Sequence, residues 1–186
     1  MTGTTLLFVR HGESTWNRCG RVQGQYGWPP LTARGRRQAR DAAAALTASG
    51  AVWLLTSDAV RAQQTAETIG RTLGLRIETT PLLRERHWGQ LQGAPATAAD
   101  TLDARLPADA PAPGGESREH VRDRLRRLVS DWAVGPPGPI IVVTHGDVIR
   151  EAHCLWATPA VSLPANGSVS EIIIDAAALR IAQVSR

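Results

Sequence analysis

Leu6-Leu7-Phe8-Val9-Arg10-His11-Gly12-Glu13-Ser14-Thr15-Trp16-Asn17 is the stretch that decides the fold. Residues 5–9 read as a buried strand, and the strand ends abruptly in Arg-His-Gly-Glu. An imidazole and a guanidinium therefore stand side by side where strand gives way to loop. Open α/β sheets bind ligands at such places, outside the carboxyl ends of their strands. Pro139-Ile140-Ile141-Val142-Val143-Thr144-His145-Gly146 repeats the design near the other end. Two strands that each deliver a histidine and a glycine point to a site for an anionic group, a phosphate first of all.

Outward from these two strands, helical and extended segments alternate. Thr32 is an N-cap candidate for a helix over 33–48, with Gly50 as its stop. Val52-Trp53-Leu54-Leu55-Thr56 is a short apolar strand. Ser57 or Asp58 is placed to cap a helix that runs to Leu73 and ends at Gly74. Residues 75–79 alternate as a strand does. Residues 94–115, rich in Ala, Pro, Asp and Gly, are expected to be irregular apart from a short turn around 101–106, and to form a loop over the site. Glu116-Ser117 opens a helix to Trp132, whose buried face is Val121, Leu125, Leu128 and Val129. Pro136-Pro137-Gly138-Pro139 is a rigid connector. A helix follows across 147–156, and strands over 170–174 and 179–184 close the chain, hairpin-like around 175–178. The alternation predicts an α/β fold, a sandwich with a mainly parallel sheet. No repeat or linker divides the chain, so 1–186 reads as one domain.

The 186 residues are 42% hydrophobic and 20% charged, ordinary for a globular protein. No apolar run reaches the roughly 20 residues of a membrane span. No basic segment precedes the first apolar stretch, so no signal peptide is expected and the cytoplasm is the expected location. Cys19 and Cys154 do not make a disulfide framework and are expected to be reduced thiols. The pI of about 10.3 accompanies a net charge of only +4, because every basic residue except histidine is arginine. Without a basic block, and with one Tyr and one Phe for stacking, nucleic acid is not the expected partner.

His11 is the first candidate for chemistry. Histidine attacks phosphorus through one ring nitrogen while a hydrogen bond holds the other. Arg10 offers a fork for phosphoryl oxygens, Gly12 a close backbone approach with an exposed N–H, and Asn17 a neutral donor. His145, protonated and facing His11, would stabilise transition-state charge. Arg61 falls near a helix start, where arginine is unfavourable unless an anion is bound; the alternative is a solvated surface residue. Glu85 is a proton-donor candidate, yet spacing does not choose it over Glu13, and Arg84 and Arg86 equally suit a surface ion network. Trp28, Trp88 and Tyr26 are candidates for a pocket wall, although tryptophans more often pack in cores. The five histidines show no zinc spacing, and no Gly-rich loop with lysine is present, so neither metal nor cofactor is expected.

Together these residues resemble the histidine phosphatase superfamily, which includes the cofactor-dependent phosphoglycerate mutases. Arg10-His11-Gly12-Glu13 with Asn17 is similar to its signature. Pro30-Leu31-Thr32 with Gly35 and Gln38-Ala39, Ser57 with Arg61-Ala62, Leu83 with Glu85, Gly89 and Gly93, and His145-Gly146 resemble later blocks. The resemblance implies a three-layer α/β/α sandwich of the phosphoglycerate mutase kind. It makes His11 the phosphorylated nucleophile, gives Arg10, Asn17, Arg61 and His145 the phosphate pocket, and makes Glu85 proton donor and then base. Gln23, Gly24 and the Gly146 N–H are added as substrate or phosphate contacts. Two positions depart from the pattern: Gly27-Trp28-Pro29 and Gln92 stand where acidic residues are common.

The expected activity is a metal-independent phosphomonoesterase acting on a small phosphorylated metabolite. Two alternatives remain open: a mutase, although those relatives carry longer insertions over the site, and a non-catalytic phosphate-binding module. A small phosphate ester is the expected partner, without nucleic acid or membrane. The oligomeric state is open, a homodimer among the options.

Overall fold

A computed structural model describes residues 4–132, 138–157 and 163–174. Its centre is a five-stranded sheet in the order β3-β2-β4-β1-β5. The strands are β1 (Thr4–Arg10), β2 (Trp53–Thr56), β3 (Ile77–Thr79), β4 (Ile140–Thr144) and β5 (Val169–Ile174). β1, β2, β3 and β4 pair in parallel, and β5 joins the edge antiparallel to β1. The helices are α1 (Thr15–Arg18), α2 (Ala33–Ala45), α3 (Val60–Leu73), α4 (Ala96–Asp103), α5 (Arg118–Trp132) and α6 (Gly146–Trp156).

Alternate residues of each strand serve opposite faces. Leu6, Phe8, Leu55, Ile140 and Val142 pack under α5 and α6, against Val121, Leu125, Val148 and Ile149. Leu7, Val9, Leu54, Ile141 and Val143 pack under α2 and α3, against Ala42, Ala43, Ala62, Ala66 and Ile69. The expected three-layer sandwich is observed. Strands covered on both faces lose polar alternation and read as continuous apolar runs, which is why β1 and β4 stood out in sequence. Each fully buried Leu, Ile or Val contributes about 1.5–3 kcal/mol.

Local capping sets some of the boundaries. Thr32 Oγ1 accepts from Gly35 N, as expected. The helix expected over 33–48 stops at Ala45, and Thr47 Oγ1 donates back to the carbonyl of Ala44. Neither Ser57 nor Asp58 is the N-cap of α3; that residue is Ala59. Ser57 and Asp58 are engaged elsewhere, by His145 and Arg84. Gly74 ends α3 at φ +68°, the left-handed geometry that favours glycine. The largest correction is in 94–115, where 96–103 is a helix rather than an irregular stretch. Pro95 precedes it and Ala96, Ala98 and Ala99 favour helix, so Pro-then-Ala was the signal available. Cys19 and Cys154 are exposed and unpaired. The strand expected over 179–184, the hairpin around 175–178 and residues 136–137 of the connector lie outside the described residues. Among the described residues, no helix is long and apolar enough to cross a membrane.

Candidate active site

The pairing register of β1 and β4 builds the floor of the site. Arg10 lies opposite Thr144, so the next residues, His11 and His145, leave the sheet together. Their rings stand 5.1 Å apart, edge to face at 65°. Both are buried. His11 Nδ1 lies 2.8 Å from the carbonyl oxygen of Gly12. That bond places the ring proton on Nδ1 and leaves the lone pair on Nε2. Burial first, then Arg61 and Arg10, hold the His11 pKa well below the ordinary histidine value. The ring is therefore neutral and nucleophilic at neutral pH. A Cβ on Gly12 would lie 2.2 Å from the carbonyl oxygen of Gly35, so only glycine fits there. Its N–H is not exposed as expected, because it donates to Thr65 Oγ1 at 3.1 Å.

The expectation of a protonated His145 needs correction. Burial, followed by Arg61, His11 and Arg10, lowers its pKa well below the usual value. His145 is neutral in the free protein. Its Nε2 lies 2.9 Å from Ser57 Oγ, while its buried Nδ1 has no hydrogen-bond partner among the described residues. Ser57 stands at the end of β2 because its N–H continues the ladder to Val143.

Arg61 is buried at 1% exposure, which excludes the solvated reading. It is the second residue of α3, and Nη1 and Nη2 donate to the carbonyls of Tyr26 and Gly24 at 2.7 and 2.9 Å. Burial lowers its pKa to about 10, so it stays charged at neutral pH. Arg10 is tied to the carbonyl of Pro164. The Nε atoms of both arginines are buried without partners among the described residues, and a buried donor left unpaired costs about 1–3 kcal/mol. An oxyanion would satisfy them. Asn17 closes a capping box on α1, its Oδ1 accepting from Ser14 N at 3.0 Å, which leaves its amide nitrogen as donor. Gln23 Oε1 accepts from Ser14 Oγ.

Glu85 is chosen over Glu13 by geometry. The Glu13 carboxylate is engaged by Thr32 Oγ1 at 2.7 Å and by Arg34. Glu85 faces the same cleft as His11 and Arg61. Burial, reinforced by Asp147, pushes its carboxyl up to about 7 against the Arg86 N–H, Arg61 and Arg10. The surface-network reading fails because both flanking arginines have other partners: Arg84 pairs with Asp58 and buried Arg86 with Asp103.

The cleft, about 590 Å³ including its open mouth, is lined by Arg10, His11, Asn17, Gln23, Gly24, Arg61 and Glu85. Arg21, Trp88, Ala99, Asp100 and Asp147 extend its wall. Trp88 is the one aromatic of the expected three that lines it; Tyr26 and Trp28 are exposed and meet Trp16 edge to face. Gly146 opens α6, and a Cβ there would lie 3.4 Å from Arg10 Cζ. Gln92, at a departing position, accepts from Gln25 N at 2.7 Å and so braces the loop that holds Arg61. Sequence reasoning missed Arg21, Asp100 and Asp147, none of which carries a motif of its own; Thr65 fell in a block that resembles the family, Gln64-Thr65-Ala66, but was given no role. Among the described residues, no three His, Cys, Asp or Glu are grouped to hold a metal ion.

The family model of the histidine phosphatase superfamily (branch 1) matches residues 6–185. The chain is 36% identical over 192 residues to the glucosyl-3-phosphoglycerate phosphatase of Mycobacterium tuberculosis, covering 91% of this chain and 82% of that one. It is 34% identical over 174 residues to the protein named Probable phosphoglycerate mutase GpmB of Serratia proteamaculans, with 86% and 76% covered. The structure of the mycobacterial glucosyl-3-phosphoglycerate phosphatase with VO3 superposes at a TM-score of 0.81, with 32% identity over 90% of this chain and 91% of that one. The chain belongs to the histidine phosphatase superfamily.

Proposed function

We propose that the chain is a metal-independent phosphomonoesterase that works through a phosphohistidine on His11. The observation that carries this reading is the pairing of a neutral, buried His11, oriented through Nδ1, with a buried Glu85 whose carboxyl is pushed up to about 7. His11 Nε2 attacks phosphorus in line. As the P–O bond breaks, the Glu85 proton passes to the departing alkoxide oxygen. Glu85, now a carboxylate, takes a proton from the incoming water, which breaks the N–P bond and releases phosphate. Arg10, Arg61 and Asn17 hold the equatorial oxygens, with Gln23 and the Gly146 N–H as further contacts. Gly24 acts by holding Arg61. The anion restores the proton affinity of His145, which then donates to it. Positioning and charge stabilisation supply most of the acceleration in phosphoryl transfer.

The substrate is a small phosphorylated metabolite. Relatives bearing the names of a phosphoglycerate mutase and a glucosyl-3-phosphoglycerate phosphatase make esters of glycerate the first to try. The reading takes 1–186 as one cytoplasmic domain with no nucleic-acid or membrane partner, and leaves a homodimer open. The mutase reading rests on the first of those relatives and on α4, which covers part of the cleft. Phosphate release from a panel of esters in EDTA, by wild type and His11→Ala, tests the proposal. Release that vanishes in the variant supports it. Transfer to glycerate acceptors without release supports the mutase, and phosphate binding without either leaves a binding module.

A further inference from the structure

Asp147 is a second buried carboxyl in the cleft, and no step above uses it. It stands two residues past His145, in the first turn of α6, and is 5% exposed. Trp88 Nε1 donates to its Oδ2 at 3.0 Å, and Arg150 pairs with its Oδ1 at 3.1 Å. Its backbone N–H points to Glu85 Oε2 at 3.4 Å. Arg150 also pairs with Asp103 at 3.0 Å, and Asp103 pairs with Arg86, the neighbour of Glu85. Asp103 ends α4, whose Ala96, Ala99 and Asp100 line the cleft. A ring of charges thus runs from the residue after Glu85 through the cover helix to Asp147 and back.

A fixed anion in a pocket that receives a phosphoryl group opposes binding by like-charge repulsion. Its placement makes sense if the anion acts on Glu85. We propose that Asp147 is a positioning residue that keeps the proton on Glu85 until the ester is bound, acting by charge across the cleft while Trp88 and Arg150 fix its carboxylate. The inference rests on the phosphatase reading for its purpose but not for its measurement. Around Glu85 stand Arg10 at the end of β1, Arg61 of α3, Arg150 and Asp147 of α6, and the Arg84–Asp58 pair in the adjoining recess. His11 and His145 are neutral there. Both Arg61 and Arg10 favour the Glu85 carboxylate, and Asp147 is the neighbour that opposes them. With Asp147 in place the proton remains available near neutral pH for transfer to the departing alkoxide.

The test is a 13C NMR titration of the Glu85 carboxyl in free protein, assigned with Glu85→Gln, beside the pH profile of kcat/KM. Asp147→Asn keeps an acceptor for Trp88 and removes the charge. It is expected to move both the titration and the basic limb downward by about half to one pH unit. Measured against the acid side of its own profile, kcat/KM at pH 8 should then fall about three- to tenfold further than in the wild type. Inorganic phosphate should inhibit the variant more strongly. Arg150→Met should move both midpoints upward. An Asn variant slowed by one factor at every pH, with the Glu85 titration unmoved, would overturn the proposal. If that variant loses its near-UV tryptophan signature, an Arg150→Met midpoint that fails to rise still sinks the idea. Wild-type protein that turns over no ester contradicts the phosphatase reading but leaves the titration readable.

Discussion

The floor of the cleft and its wall hold their residues by different means. On the floor, β1 and β4 pair from Leu6–Ile140 to Arg10–Thr144, and the next residue of each is a buried histidine, His11 or His145. The wall is made by 84–92 and α4, which lie outside the sheet. It is held by Arg86–Asp103, Arg150–Asp103 and the Trp88–Asp147 bond, beside a small apolar cluster of Val22, Trp88, Ala99 and Ala112. Backbone register places His11, the proposed nucleophile, whereas side-chain charge sets Glu85, the proposed proton donor. Damage to the floor should therefore abolish chemistry or unfold the protein, and damage to the wall should shift when Glu85 gives up its proton.

The sharpest break is His11→Ala, which removes the attacking nitrogen and should cost about 10⁴-fold or more in kcat without unfolding the domain. Steady-state rates beside circular dichroism check both halves of that statement. Glu85→Gln should slow alkyl phosphate esters about 10²–10⁴-fold. In kcat/KM, which reports phosphorylation of His11 and not the later hydrolysis, the same variant should slow p-nitrophenyl phosphate much less, because that leaving group departs without a proton. Equal losses on both substrates would contradict the acid role. In the floor itself, Ile141→Ala opens a cavity between β4 and the α2–α3 layer and should lower unfolding free energy by about 2–5 kcal/mol in a urea titration. In the wall, Ala99→Gly should cost only about 1 kcal/mol, from helix propensity.

A pH profile sharpens the contrast further. The first half-reaction needs neutral His11 and protonated Glu85. His11 is held well below the ordinary histidine value, so its protonation does not set the falling limb above neutral pH. Glu85 loses its proton at about 7, so kcat/KM should fall above that pH. The falling limb should disappear in Glu85→Gln. A limb that survives belongs to another group.

The same division decides what the sequence made legible. Strands buried on both faces, each followed by His-Gly, announced both the sandwich and the phosphate end of the cleft. Arg61 was legible because a cation at a helix start needs an explanation. Spacing did not choose Glu85 over Glu13, since that depends on where Thr32 and Arg34 come to lie, and only the family resemblance pointed to Glu85. The wall stayed hidden for a similar reason. Which carboxylate each arginine of 84–86 takes is fixed by Asp58, just before α3, and by Asp103 of α4, both distant in sequence, and α4 itself is too short to show a periodic apolar face. Asp147 had no motif; its meaning comes from Trp88, Arg150 and Glu85 meeting in space.

The most direct test of the central claim is rapid quenching of the protein with a 32P-labelled phosphoester in EDTA, followed by mapping of the label. The account predicts acid-labile, base-stable phosphate on the peptide containing His11, formed fast enough to be an intermediate in turnover and absent in His11→Ala. Turnover in EDTA with no label on His11 at any time would contradict it.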